Sequence, residues 1–245
     1  MSVSADSLKA WEGFWADAPE GEGAVFWDAP PALAAQLHLP LFADHFQAGL
    51  PLVDVGCGNG TQTRYLAGRY RGVHGVDLSA AAVERARSAD PAGRAGYEQA
   101  DAADEAAMER LHGRLGDCDV YLRGVLHQAP EPDRPRIVRG IAALTGGRGR
   151  VFAVELAEAA KPVLMGLAQR PQGPPAKLLP VLTHGIVPGE VSDAALPRLF
   201  REAGLTVLAD GELPLATTEF EADGSRLALP SKWLVAGHVT VAQVV

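Results

Sequence analysis

Three glycines at alternate positions form the motif with the clearest chemical meaning. An apolar segment, residues 52–55, leads into Gly56, Gly58 and Gly60, and a helical pattern begins at Thr61. Glycine permits a sharp backbone turn and lets a ligand lie directly against the main chain. The free N–H groups at the start of the helix can donate to polar ligand atoms. The motif predicts a nucleotide-like ligand held close to the backbone.

The position of the third glycine separates two classes of cofactor. A dinucleotide-binding loop would have this glycine at position 61, where the chain has Thr61. The phosphate-binding pattern GxxxxGKS/T is also absent. The spacing therefore argues against a nicotinamide dehydrogenase.

Acidic residues follow at the ends of two further predicted strands. Asp77 ends the segment 72–77, and Asp101 follows residues 97–100. Because a carboxylate accepts hydrogen bonds, Asp77 could bind both hydroxyls of a ribose and Asp101 the amino group of an adenine. A helix cap or a solvated carboxylate is the alternative for each.

His127 is the main candidate for a catalytic base. It lies just after the predicted strand 119–122, where a parallel sheet opens its binding crevice. An imidazole titrates near neutrality and can take a proton from a hydroxyl group. The alternative is a structural histidine. Glu155 ends the next strand at the same crevice, so it could bind or deprotonate an acceptor, or merely cap a helix.

Two regions interrupt the α/β rhythm and could line a second site. The first 48 residues contain Phe14, Trp15 and Trp27, which could wall off an apolar compound, whereas Trp11 fits packing on the domain edge better. Residues 158–190 hold six prolines and include His184, which could fold over an acceptor or be solvated.

The elements that must position these residues alternate between strands and helices. Short apolar segments predict strands at 50–55, 72–76, 119–122 and 150–154, which favours a parallel sheet covered by helices on both faces. Residues 205–209 and 232–239 are strand-like and could form an antiparallel hairpin. Helix start and stop signals lie at Ser79, at Asp133 with Pro135, and at Gly204.

Composition narrows the functional class. The 245 residues carry a net charge of −8 and 47% apolar residues, with no basic cluster suited to nucleic acid. No apolar run approaches the ~20 residues that span a bilayer, and the first residues do not resemble a secretory signal. Cys57 and Cys118 make neither a disulfide framework nor a zinc site. We therefore expect a soluble cytoplasmic protein, monomeric or homodimeric, without a metal.

Four segments together resemble the class I S-adenosylmethionine-dependent methyltransferases: LVDVGCGNGTQTRYLA (52–67), GVDLS (75–79), QADAAD (99–104) and CDVYLRGVLHQ (118–128). The resemblance implies a Rossmann-like α/β fold with a mostly parallel seven-stranded sheet and a C-terminal antiparallel hairpin. It also implies a helical lid over residues 1–48. Residues 49–245 would then form the S-adenosylmethionine-binding domain, with an acceptor-side insertion at 158–190.

The resemblance also implies roles for individual residues. Asp54 would support the loop and the amino-acid part of the cofactor, Asp77 would bind ribose, and Leu78 would pack on adenine. The full set of implied S-adenosylmethionine contacts is Asp54, Gly56, Gly58, Gly60, Thr61, Asp77, Leu78, Asp101, Ala102 and Arg123. The product would be S-adenosylhomocysteine.

The segment around His127 is similar to the LHDW stretch of small-molecule O-methyltransferases, in which the histidine is the base, although Gln128 replaces the aspartate. We expect methyl transfer to a small organic acceptor, most simply on oxygen, in the style of bacterial natural-product enzymes. Transfer to nitrogen or carbon, and a protein that binds the cofactor without methylating, remain open. The Asn/Asp-Pro-Pro-Tyr-like motif of DNA and rRNA enzymes is absent after residue 122.

Overall fold

The computed structural model describes residues 3–171, 173–187, 189 and 191–239. Its strands are β1 (Leu52–Val55), β2 (Val73–Asp77), β3 (Gly96–Gln99), β4 (Asp119–Arg123), β5 (Arg150–Leu156), β6 (Thr206–Glu212), β7 (Leu215–Phe220), β8 (Arg226–Leu229) and β9 (Ser231–Gly237). Its helices are α1 (Val3–Asp17), α2 (Ala35–Phe42), α3 (Thr61–Ala67), α4 (Ala80–Ser88), α5 (Glu105–Leu115), α6 (Arg134–Thr145), α7 (Ala160–Ala168), α8 (Leu179–Thr183) and α9 (Ala195–Glu202).

Seven of these strands form one sheet in the order β3-β2-β1-β4-β5-β9-β6. The first five strands of the chain run parallel, whereas β9 is antiparallel to both β5 and β6. This confirms the predicted mostly parallel sheet and its C-terminal hairpin. The connection inside the hairpin folds as a separate two-stranded ribbon of β7 and β8.

The central strands are buried because helices cover both faces of the sheet. Successive residues of a strand face opposite sides, so Val53 joins Ile141 of α6 and Phe200 of α9 in one apolar cluster. Its neighbour Leu52 packs on the other side with Phe42 of α2. This is the reason why these strands are continuous apolar runs in the sequence.

The predicted helix signals act as expected. The Ser79 side chain accepts a hydrogen bond from the Ala82 N–H and begins α4. Pro135 lies in the first turn of α6, and Gly146, with φ of 53°, ends that helix. Pro197 likewise lies in the first turn of α9, where its missing N–H has no helical partner to lose.

Strand register brings distant residues to one edge of the sheet. Val55 at the end of β1 pairs with Val76 of β2 and with Leu122 of β4. The residues that follow these strands therefore emerge side by side. Among the described residues, no helix is both long and apolar enough to cross a bilayer.

Candidate active site

A cavity of about 570 Å³ opens at this edge, between the strand ends, the N-terminal segment and the chain from β5 to α9. Its volume lies within the range of about 300–1,000 Å³ that is typical of small-molecule sites. The glycine loop forms one side. Another part of the lining is an apolar wall formed largely by Leu164, Met165, Leu178, Val181, Leu182 and Ile186.

The glycine loop turns tightly at the floor of the cavity. The N–H groups of Gly56 and Cys57 both donate to the Val76 carbonyl, at 2.8 and 3.1 Å. Gly58 has φ of 54°, and a Cβ atom there would lie 2.8 Å from Cζ2 of Trp15. Only glycine combines this backbone conformation with so close an aromatic neighbour.

Gly60 is an exception among the predicted loop contacts because it does not line the cavity. It begins α3 with φ of 74°, and a Cβ atom there would lie 3.0 Å from Cβ of Ala86 and from Cε1 of Tyr97. This glycine therefore allows the loop to pack against α4 and β3, so the structure gives it a packing role instead of the predicted place in the cavity lining.

Two buried carboxylates support the loop. Asp54 accepts a 2.6 Å hydrogen bond from Thr63 Oγ1, and Asp77 accepts from the N–H groups of Gly58 and Ser79, each at 2.9 Å. Burial raises the pKa of each carboxyl group to about 6, against the opposing effect of these hydrogen bonds. Asp77 thus joins the end of β2 to the loop.

The other predicted cofactor contacts also line the cavity, namely Thr61, Leu78, Asp101, Ala102 and Arg123. Asp101 accepts a 2.8 Å hydrogen bond from the Ala103 N–H. Arg123 donates through Nη2 to the Trp27 carbonyl at 3.0 Å and so connects β4 to the N-terminal segment.

His127 lines the cavity and is almost completely buried. Its Nδ1 lies 2.6 Å from Oε2 of Glu155. Because a carboxylate accepts, Nδ1 carries the proton and Nε2 keeps its lone pair. The Nε2 atom of Gln128 lies 3.1 Å from Nε2 of His127 and donates a hydrogen bond to its lone pair.

Glu155 does not line the cavity, so its prediction as an acceptor-binding residue was wrong. Its carboxylate is 1% exposed and accepts from the N–H groups of Val125, Leu126 and His127, at 2.8, 2.8 and 3.1 Å. With the His127 ring, this makes four donors. Glu155 fixes the turn after β4 and the orientation of the imidazole.

The aromatic residues of the N-terminal segment divide differently from the expectation. Trp15 and Trp27 line the cavity as predicted, and so does Trp11, for which edge packing was expected. Phe14, a predicted acceptor contact, does not: it is 2% exposed and packs edge-on against Trp11 and Trp15, with ring centroids 5.7 and 5.3 Å apart. The four-residue spacing of Trp11 and Trp15, which places them on one helical face, could have revealed this.

His184 was also predicted as an acceptor contact, and the structure places it outside the cavity lining. Its Nε2 lies 3.1 Å from Oδ2 of Asp17, and its ring packs over Gly13. It fastens α8 to α1 instead. The predicted insertion does supply the apolar wall, although Gln172, Pro188 and Glu190 lie outside the described residues.

The N-terminal segment is also held by the ribbon. Thr218 of β7 donates its N–H to the Phe26 carbonyl at 2.9 Å, and its Oγ1 donates to the Val25 carbonyl at 3.0 Å. Within the part of the chain that the structure describes, no group of three or more His, Cys, Asp and Glu residues is arranged to hold a metal ion.

Comparisons with known proteins agree with this architecture. Residues 52–160 match the family described as "Methyltransferase domain". A crystal structure of an S-adenosylmethionine-dependent methyltransferase from Anabaena variabilis is 28% identical and superposes with a TM-score of 0.87 over 98% of this chain and 96% of the other. The chain is thus similar in fold to an S-adenosylmethionine-dependent methyltransferase over nearly its whole length, and residues 52–160 match a methyltransferase domain.

The loop glycines and strand-end carboxylates offer the close backbone and the acceptor atoms that a nucleoside such as S-adenosylmethionine requires. A second relative, the ubiquinone biosynthesis O-methyltransferase of Thiobacillus denitrificans, is 34% identical over 160 residues, 64% of this chain. The match spans 65% of that relative's length.

The magnesium protoporphyrin IX methyltransferase of Synechocystis, solved with bound S-adenosylhomocysteine, shares the fold at 18% identity. Its TM-score is 0.57, over 97% of this chain and 96% of that one.

Proposed function

We propose that this methyltransferase moves the methyl group of S-adenosylmethionine to a hydroxyl or carboxyl oxygen of a small, mainly apolar organic acceptor. The observation that carries the proposal is that His127, held by Glu155 in one tautomer, lines the same cavity as the glycine loop and the apolar wall. The name of the Thiobacillus relative, an O-methyltransferase, supports oxygen as the accepting atom.

The cofactor half of the cavity supplies the binding groups for S-adenosylmethionine. Gly56 and Gly58 bring the backbone of the loop to the cavity, where Asp77 would accept from the ribose hydroxyls and Asp101 with Ala102 would contact the adenine. When bound, the cofactor supplies an electrophilic methyl group on its sulfonium. Because that chemistry comes with the cofactor, the protein has to bind and orient the two reactants and exclude water.

His127 acts as the general base when the acceptor is a hydroxyl group. Nδ1–H stays on Glu155, so Nε2 is the atom that takes the proton. In the structure this lone pair is engaged by the Gln128 amide, so the acceptor hydroxyl must replace that amide as the donor. An acceptor carboxylate is already deprotonated and needs only to be positioned.

Two segments form the acceptor half. Residues 1–48 act as a lid through Trp11, Trp15 and Trp27, and the insertion 158–190 adds an apolar wall with Leu164 and Val181. Together they keep water away from the reacting atoms and favour acceptors without charge over most of their surface.

The test is a product assay with purified protein, S-adenosylmethionine and a panel of small apolar alcohols, phenols, carboxylic acids and amines. We expect one methyl group per acceptor, equal amounts of S-adenosylhomocysteine, and an O-methyl signal in the product by NMR. Methyl groups found only on nitrogen or carbon would contradict the choice of oxygen. Cofactor binding without any methylated product would favour a non-methylating protein.

A further inference from the structure

The side-chain amide of Gln128 lies beside the proposed base and has one oxygen atom without a partner. Gln128 lines the cavity, and its Nε2 atom donates to Nε2 of His127 at 3.1 Å. Because that ring nitrogen accepts, the amide has to present its NH2 group there and cannot present its oxygen. The oxygen, Oε1, is buried, and no hydrogen-bond donor of the described residues reaches it.

This orphaned oxygen differs from the others in its location. Among the described residues, the hydroxyl groups of Tyr65 and Tyr97 are also buried without a partner, but neither residue lines the cavity. A buried acceptor that stays unpaired destabilises a protein, and most buried polar atoms therefore have a partner. Within the described lining, Oε1 of Gln128 is the one such atom, and it lies next to the site of proton transfer.

The main chain on both sides of Gln128 is held in place. The Gly189 N–H donates to the His127 carbonyl at 2.6 Å, and Nε of Arg134 donates to the Ala129 carbonyl at 3.1 Å. When an acceptor hydroxyl replaces the amide on the imidazole, the movement therefore falls to the Gln128 side chain. The displaced amide stays beside the acceptor, and Oε1 still needs a donor.

We propose that Oε1 of Gln128 accepts a hydrogen bond from a second donor group of the acceptor, a hydroxyl or N–H group on the atom next to the one that bears the methylated oxygen. This inference rests on the proposed function. A hydroxyl group has one proton, which His127 takes, so the proton on Oε1 has to come from another group. Since Oε1 and the nitrogen that contacts His127 belong to one amide, the two groups of the acceptor must be close neighbours.

The substrate class is then a vicinal one: diols, dihydroxyarenes or amino alcohols with adjacent groups on an otherwise apolar body. An apolar wall discriminates weakly between compounds of similar size, whereas a buried polar group rejects a compound that cannot pair with it. Gln128 therefore determines specificity. Only the group at His127 loses its proton, so one of the two groups receives the methyl.

The test measures the Kd of three phenols for the protein saturated with S-adenosylhomocysteine, by NMR titration. Catechol carries the second donor on the adjacent carbon, resorcinol carries it one carbon further away, and ortho-cresol has a methyl group in its place. We expect catechol to bind about tenfold more tightly than either of the others, as for one hydrogen bond to an otherwise unpaired buried group. With S-adenosylmethionine, kcat/KM should follow the same order.

A variant separates a specific role from a structural one. Gln128→Met keeps the length of the side chain and removes the amide, so the preference for catechol over ortho-cresol should fall below about twofold. Gln36→Met, at an exposed glutamine of α2 outside the lining, is the matched control and should keep the full preference. A Gln128→Met protein that loses affinity for all three phenols alike would overturn the proposal in favour of a packing role.

The wild-type titrations decide the question even if Gln128→Met does not fold. Equal affinities for the three phenols, or no measurable binding of any of them, would overturn the proposal. No methyl group is transferred in these titrations, because S-adenosylhomocysteine has none to give. A failure of the proposed oxygen methylation would appear separately, as methyl groups on nitrogen or carbon in the product assay.

Discussion

The two halves of the cavity are lined by different kinds of chemical group, polar on the cofactor side and apolar on the acceptor side. On the cofactor side, backbone amides and carboxylates hold one another, as Asp77 holds the N–H groups of Gly58 and Ser79. On the acceptor side, apolar side chains come from α1, α7 and α8, which are far apart in the sequence. Hydrogen bonds require donors and acceptors at fixed distances and angles, whereas an apolar wall requires only side chains of suitable size and shape. Substitutions on the first side should affect the cofactor, and those on the second should affect the acceptor.

His127 lies where the two halves meet, and its removal should have the largest effect. We expect His127→Ala to lower kcat for a hydroxyl acceptor by about 10² to 10⁴, as for loss of a general base, with the Kd of S-adenosylhomocysteine within about twofold of wild type. Steady-state kinetics and calorimetry measure the two quantities. Unchanged turnover would exclude His127 as the base.

A substitution at Glu155 tests whether the function of His127 depends on the carboxylate that holds its ring. Glu155→Gln removes the charge that four donors share, so we expect a loss of about 1–3 kcal/mol in the free energy of unfolding and a kcat lower by about tenfold or more. Denaturant unfolding and a pH–rate profile measure these effects. Glu109→Gln, an exposed glutamate of α5 outside the cavity lining, is the control. A stable Glu155→Gln variant with a wild-type pH profile would contradict the assignment.

The cofactor side should respond to pH. Burial raises the pKa of Asp77 to about 6, so the carboxyl group is ionised at pH 7.5 and mostly protonated at pH 5. Because ribose hydroxyls bind the ionised form better, the affinity for S-adenosylhomocysteine should fall up to about tenfold between these pH values. In Asp77→Asn this component of the pH dependence should be lost. A pH-independent wild-type Kd would contradict this prediction.

The acceptor side should show the smallest and most selective change. We expect Trp11→Ala to raise the KM for an apolar acceptor about fivefold, the typical contribution of one aromatic contact, without changing the Kd of S-adenosylhomocysteine. Leu8→Ala, an exposed apolar residue of α1 outside the lining, is the matched control and should leave both values unchanged. If Leu8→Ala raised the acceptor KM as much as Trp11→Ala, the assignment of the lining would be wrong.

The sequence could predict which residues meet at the strand ends because strand topology determines it. Once the first strands are parallel, Gly56, Asp77 and Arg123 must emerge at one edge, whatever the side chains around them. Gly60 was the exception because its left-handed conformation turns it towards α4, and a glycine pattern does not say which glycine serves packing.

The acceptor side depends on the directions in which individual side chains point, and the sequence gives only weak signals for these directions. Aromatic residue type alone suggested Phe14, but the phase of α1 brings Trp11 and Trp15 to the cavity and Phe14 to the interior. His184 lies just after a short helix in a proline-rich segment, where no periodicity predicts direction. Glu155 accepts from three successive buried N–H groups that follow β4. The sequence does not show that these groups need an acceptor, because the need arises from the conformation of the turn.

The hydrogen bonds from Thr218 to residues 25 and 26 also affect the order in which contacts can form while the chain is being translated. Thr218 and Val25 are 193 residues apart, so the lid cannot acquire this partner until β7 has been translated. At about 5–20 residues per second, the delay is roughly 10–40 s after Val25 is made. The strands that carry the glycine loop, Asp77 and His127 are complete well before then. In a nascent chain, the cofactor side and the contacts of α1 with α4 can therefore form before residues 25 and 26 acquire their partner on β7.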